Sequence, residues 1–195
     1  MAYYAIAPLL CALVQNELCM HLYINQVYGG PNPNQLVVIS ESQQPLSFGT
    51  TAVQDWTITD GPGPNANYVG RAQGFHFQSG QTRGRWYLSM NLIFEDTRFN
   101  GSMIQVMGTI PEDGEWAILG GTGEFVAAQG VVDHKVIKED NSERIYEITV
   151  RGFYVPVDSA EAPGENSCNA NWKLSASHAR AHAEMQSSLL AGNKH

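Results

Sequence analysis

The chain has 195 residues, 43% of them hydrophobic, which suffices for one domain with a real core and argues against general disorder. Its formal net charge is −8 and no Lys or Arg precedes Arg71, so the basic footprint of a nucleic-acid binder is lacking. Nothing in the body of the chain is long and apolar enough to span a bilayer.

In chain order, Ala5 to Val14 is an apolar run of signal-peptide length. It has no positively charged segment before it, and Gln15 to Cys19 makes a poor cleavage site, so the sequence leans against secretion. Residues 1–19 are read as an apolar N-terminal segment and 20–156 as the folded domain. Met20–Val27 reads as a first strand, Phe48–Ile58 as a second and Tyr68–Gln78 as a third, with Gly, Pro and Asn clusters closing the first two. Trp86 to Glu95 alternates most clearly: Trp86, Leu88, Met90, Leu92 and Phe94 take one face, Tyr87, Ser89 and Asn91 the other, and Ile93 breaks the pattern. Ser102–Thr109, Glu115–Leu119, Val126–Ile137 and Arg144–Tyr154 follow, the last with Tyr146, Ile148, Val150 and Tyr154 on one face. Eight strands at this spacing predict an all-β antiparallel sandwich or barrel, and composition does not choose between them. Residues 157–195 turn polar, and Trp172 to Leu190 reads as a short helix within an irregular tail.

Candidate chemistry is sparse. No Gly-x-Ser-x-Gly elbow, Cys-x-x-Cys or His-Glu-x-x-His occurs, and Gly120-Gly121-Thr122-Gly123 lacks the Lys-Ser/Thr of a phosphate loop. No metal or cofactor is expected. His178 and His182 would share a helical face, read as an exposed polar face rather than a metal pair. His76 and His134 stand alone in strands and read as hydrogen-bonded or solvated residues rather than bases. Cys11, Cys19 and Cys168 are odd in number, leaving a Cys19–Cys168 bridge and three reduced thiols both open. Asn100-Gly101-Ser102 is a glycosylation sequon if the chain enters the secretory path. Asp55 precedes Trp56; beside an indole in a barrel mouth its carboxyl would be desolvated into an acid, although composition alone favours a solvated residue.

Four ordered segments carry more: Phe48-Gly49-Thr50 running to Asp55, Val69-Gly70-Arg71-Ala72-Gln73-Gly74, Asn100-Gly101-Ser102, and Gly120-Gly121-Thr122-Gly123-Glu124-Phe125. Together, over about residues 20–156, they resemble the dirigent domain of plants. The resemblance implies an eight-stranded antiparallel β-barrel similar to allene oxide cyclase, usually assembled as a homotrimer. It implies stereoselective coupling of phenoxy radicals from coniferyl alcohol-type monolignols, as in lignan biosynthesis, with an external laccase or oxidase making the radicals. Some relatives close rings through quinone methides using cavity carboxylates as acid and base.

By residue, the resemblance gives Asp55 as a cavity aspartate, with Trp56 where a second Asp is usual, and Glu124 as an acidic position after the glycine turn. Gln129 stands where the family has an arginine, and Asn25-Gln26 where it has His-Asp. Asp55, Glu124 and Gln129 are thus the catalytic candidates, and Trp56, Arg71, Tyr87 and Phe125 the substrate-binding ones, Arg71 being read as more structural than substrate-contacting. The family expectation is the extracellular apoplast, with the cytoplasm as alternative. Met20 to Tyr23, Asp55 to Ile58 and Trp116 to Ile118 look like the dirigent half of grass dirigent–jacalin chimaeras, including the β-glucosidase-aggregating type. That likeness implies a defence-related binding module as an alternative, and the lost charges imply a degenerate domain as another.

Overall fold

A computed structural model describes residues 15–155 except 97, 111 and 112. The N-terminal apolar run, Cys11, Cys168 and the tail with His178 and His182 lie outside the described residues.

Nine strands form one antiparallel sheet: β1 (Asn16–Val27), β2 (Gln35–Ile39), β3 (Thr51–Thr59), β4 (Tyr68–Gln78), β5 (Trp86–Phe94), β6 (Met103–Ile110), β7 (Asp113–Thr122), β8 (Gln129–Glu139) and β9 (Glu143–Tyr154). The order is β1-β9-β8-β7-β6-β5-β4-β3-β2, and β1 also pairs with β3 through Tyr23↔Thr59, Ile24↔Ile58 and Asn25↔Thr57. That pairing closes β1 and β3 to β9 into an eight-stranded barrel. The choice between sandwich and barrel is therefore made by three residue pairs.

β2 is the strand the sequence reading does not contain. It continues along the same edge of β3 after an excursion at residues 28–34, pairing Gln35↔Gln54, Leu36↔Val53 and Val37↔Ala52. Its Leu36, Val37, Val38 and Ile39 are all exposed, so it shows no alternation between buried and solvent positions. Two boundaries also move. β1 starts at Asn16, with Leu18 already buried, so residues 16–19 belong to the barrel rather than to the N-terminal segment. β8 starts at Gln129, because a 3₁₀ turn at Gly123–Phe125 and a left-handed Ala127 (φ 58) interrupt the chain before it.

Inside the barrel the alternation is kept strand by strand: Ala52, Trp56 and Ile58 on β3; Leu88, Met90, Leu92 and Phe94 on β5; Tyr146, Ile148 and Val150 on β9. The Val-Gly-Arg-Ala-Gln-Gly segment shows why its glycines are needed. A Cβ on Gly70 would lie 1.9 Å from the Ile93 carbonyl oxygen, and one on Gly74 would lie 2.1 Å from that of Ser89. β4 and β5 meet only because these two positions carry no side chain.

Candidate functional site

The two ends of the barrel differ in chemistry. At one end lie the β3–β4, β5–β6 and β7–β8 connections, where the glycine motifs converge. Ser102 is buried, and its Oγ accepts a hydrogen bond from the Glu124 N–H at 3.1 Å. The Asn100-Gly101-Ser102 turn and the Gly123-Glu124-Phe125 turn are thus one unit. Beneath them Phe125 sits fully buried, 5.1 Å from Phe94, 4.9 Å from Phe99 and 5.5 Å from Tyr154 between ring centroids. This end is an apolar aromatic plug.

The opposite end carries the polar interior. Gln54, His76 and Gln78 on β3 and β4 share the inward phase of Trp56 and Ala72 and are buried. His76 Nδ1 donates to Gln54 Oε1 at 2.6 Å. Its ring lies 5.4 Å from Trp56 and 5.3 Å from Trp86. Burial, helped by the positive charge of Arg144, holds the His76 pKa at about 4, so the imidazole is neutral at ordinary pH. Gln35 Oε1, on β2, accepts from Trp56 Nε1 at 3.1 Å and from Gln26 Nε2 at 2.9 Å. Deeper, Trp116 stacks on His134 at 3.9 Å, and Tyr146 lies 6.1 Å from Trp56 and 5.9 Å from Trp116. Trp56, Trp116 and Tyr146 are wholly buried and fill the barrel's middle. Trp86 and Arg144, at the same end, are half-buried.

Arg144 enters from the start of β9. Its Nη1 donates to Tyr146 Oη at 3.0 Å, and Nη2 is paired with Glu139 of β8. Desolvation works against its charge, but Tyr146 and Glu139 outweigh it and the guanidinium stays ionised. Burial pushes the Tyr146 hydroxyl pKa up, against the pull of Arg144.

The sequence candidates divide among three places. Trp56 belongs to the polar interior. Glu124, Phe125, Gln129 and Asn100 gather at the plugged end, where Phe125 is core, while Asn100 and Gln129 are exposed. Asp55, Arg71 and Tyr87 lie on the outer wall. Asp55 is in antiphase with Trp56, its side chain half exposed; Arg71 Nη1 lies 3.6 Å away and Gln73 Nε2 donates to it at 3.1 Å. The expectation of an Asp55 desolvated beside an indole in the barrel mouth is corrected: period-two alternation sends the indole in and the carboxylate out. Tyr87 packs on Phe77 at 5.0 Å, outside the barrel. His76, Gln54, Gln78, Trp86 and Arg144 were not among the candidates. Strand phase marks them as inward but not as neighbours: Trp86 shares a face with Leu88, and Arg144 with Tyr146.

The profile of the Dirigent-like protein family matches residues 18–153. The chain belongs to the dirigent family. Pterocarpan synthase 1 of Glycyrrhiza echinata is 32% identical over 128 residues, covering 62% of this chain and 68% of that protein. Dirigent protein 11 of Arabidopsis thaliana is 29% identical over 137 residues, 67% and 71% of the two chains. Among solved structures, the pterocarpan synthase dirigent protein GePTS1 superposes with a TM-score of 0.69 at 27% identity, covering 77% of this chain and 92% of that one. Within this dirigent barrel, the described residues include no buried Asp or Glu; the buried polar side chains are Gln, His and Ser.

Proposed function

We propose that this dirigent protein binds a planar phenolic intermediate, a phenoxy radical or a quinone methide, at the Arg144 end of its barrel and fixes which face reacts. The radicals come from an external laccase or oxidase. The observation that carries this reading is the set of neutral, buried hydrogen-bonding groups at this end, Gln26, Gln54, His76 and Gln78, with the His76 ring between those of Trp56 and Trp86. Such a lining holds and orients an aromatic guest, and orientation alone supplies a large share of selectivity in a bimolecular coupling. The carboxylate acid–base route of ring-closing relatives draws no support from it, since Asp55 and Glu124 both lie elsewhere.

The test is a chiral separation of the lignans formed from coniferyl alcohol by laccase, with and without the protein. An enantiomeric excess that appears only with the protein and falls in Trp86→Ala or His76→Ala supports the reading. Asp55→Ala, on the outer wall, should leave that excess unchanged. A racemic mixture from folded protein would overturn it.

A second reading rests on a separate observation. Leu36 to Ile39 of β2, with Val53 and Phe75 beside them on the outer wall, make an exposed apolar face. This face favours association with another protein surface. A homo-oligomer such as the trimer expected of the family comes first, and a β-glucosidase-type partner second. Placement in the apoplast, where laccase acts, goes with the coupling function, and exposed Asn100 is where a glycan would then be carried.

A further inference from the structure

The neutral groups of this barrel end are joined by one cation, Arg144, whose hydrogen-bonding capacity is only partly used. Arg144 spends Nη1 on Tyr146 and Nη2 on Glu139, while its Nε is buried with no hydrogen-bond partner. Its register partner across β1 is Gln26, whose Oε1 is also buried and unpartnered, and Gln78 Oε1 at the same end is a third such atom. Buried polar groups in folded proteins are nearly always paired, so one donor and two acceptors left over at one barrel end describe the complement of a ligand. The donor belongs to a cation, which selects an oxygen bearing negative charge; the acceptors select a hydroxyl. The Arg144 side chain is about a quarter exposed (26%) while its Nε is enclosed, so a guest reaches that donor only as the Arg144–Glu139 pair opens, and a neutral His76 means that no second cation competes for the same oxygen. Glu139, 44% exposed at the rim, is the carboxylate a guest anion would partly replace.

We propose that Arg144 is the anchor of an aryl-oxyanion subsite: the guest is held by an ionised or strongly polarised oxygen on its ring or on a ring substituent, with Gln26 and Gln78 accepting from a second hydroxyl. This deepens the orienting function proposed above and rests on it. It also gives a reason for directionality, because a planar ring pinned at one oxygen by Arg144 has one end fixed.

The experiment uses the purified full chain and follows quenching of tryptophan fluorescence by three probes: 4-nitrophenol held as its phenolate, 4-nitroanisole, and 4-nitrobenzoate. The anisole has the same ring with its oxygen methylated and uncharged. Because a hydrogen bond to a charged group contributes about 1.5–3 kcal/mol, the phenolate is expected to bind about ten-fold or more tighter than the anisole. In Arg144→Met that ratio should collapse to within about two-fold, and in Glu139→Gln, where the competing carboxylate is gone, it should rise. Glu139→Gln keeps the test alive if Arg144→Met does not fold. Benzoate binding like the phenolate supports the subsite and assigns it to any aryl oxyanion; phenolate preference alone supports it and restricts it to phenolic oxygens. Equal binding of phenolate and anisole by the natural sequence, or a preference that survives Arg144→Met, overturns the subsite while leaving the aromatic mouth intact. Failure of all three probes to bind overturns the mouth itself, and the subsite with it.

Discussion

Ser102 illustrates how a sequence motif and a site differ. The Asn-Gly-Ser and Gly-Gly-Thr-Gly-Glu-Phe segments meet because the Ser102 hydroxyl accepts the Glu124 N–H, a donor in the first turn of a 3₁₀ helix. Ser102→Ala should therefore lower stability by about 1–2 kcal/mol, read from the urea midpoint, with little effect on ligand selectivity at the far end. A midpoint unchanged within error would show that the turn is held otherwise. His76 gives a second prediction, with a sign set by its low pKa. The unfolded chain binds a proton at His76 near 6.5 and the folded chain only at about 4. Stability from this residue is thus complete above pH 6.5 and is lost as the pH falls toward 4. In His76→Gln that segment of the stability-versus-pH curve should flatten; an unaltered slope would place the acid sensitivity elsewhere.

At the scale of the element, β2 stands apart. It is a five-residue strand with one edge on β3, four exposed apolar residues and no charge. Edges of this kind are normally blunted by Lys, Pro or a covering segment, and here a register shift between Val37 and Ile39 is the only such device on the strand. Leu36→Lys with Val38→Lys is expected to shift the sedimentation-measured mass toward monomer while far-UV circular dichroism stays unchanged; an oligomer that survives both changes does not use this face. The same strand shows where reading a sequence stops. β3, β4, β5 and β9 were legible because one face of each is buried, so apolar residues recur with period two, and the glycines of β4 were legible because close strand contact tolerates nothing larger. β2 buries neither face, and its short apolar run after a Pro- and Asn-rich stretch carries no period. The site was hidden for a related reason: its members come from β1, β2, β3, β4, β5 and β9, and only barrel closure brings Gln26, Gln35, Trp56, His76 and Arg144 to one end. Asp55 was misplaced by one residue of phase, which in a strand is the difference between inside and outside.

For the molecule as a whole, the barrel is held shut at its two ends by different means and across its middle by aromatic volume. The plugged end relies on Phe94, Phe99, Phe125 and Tyr154, while β1 and β3 meet over only three residue pairs. Trp56 lies next to that seam, donates to Gln35 of β2, and stacks against Tyr146 of β9, two strands away across β1. Its indole is wholly buried and fills the middle of the barrel. Its removal has two coupled consequences. Removing the indole in Trp56→Ala should cost about 3–5 kcal/mol, since a large aromatic leaves a cavity that the surrounding strands cannot collapse into without losing their register. It should also leave Gln35 Oε1 with only Gln26 as donor and loosen β2, so amide exchange at Gln35 to Val37 should accelerate more than at β5 or β6. The decisive comparison is with Trp56→Phe, which keeps most of the volume and loses the donor. If Phe recovers most of the stability but not the protection of β2, packing closes the barrel and the indole N–H fastens β2. If Phe recovers both, the Trp56–Gln35 hydrogen bond is incidental and volume alone holds this end of the molecule together.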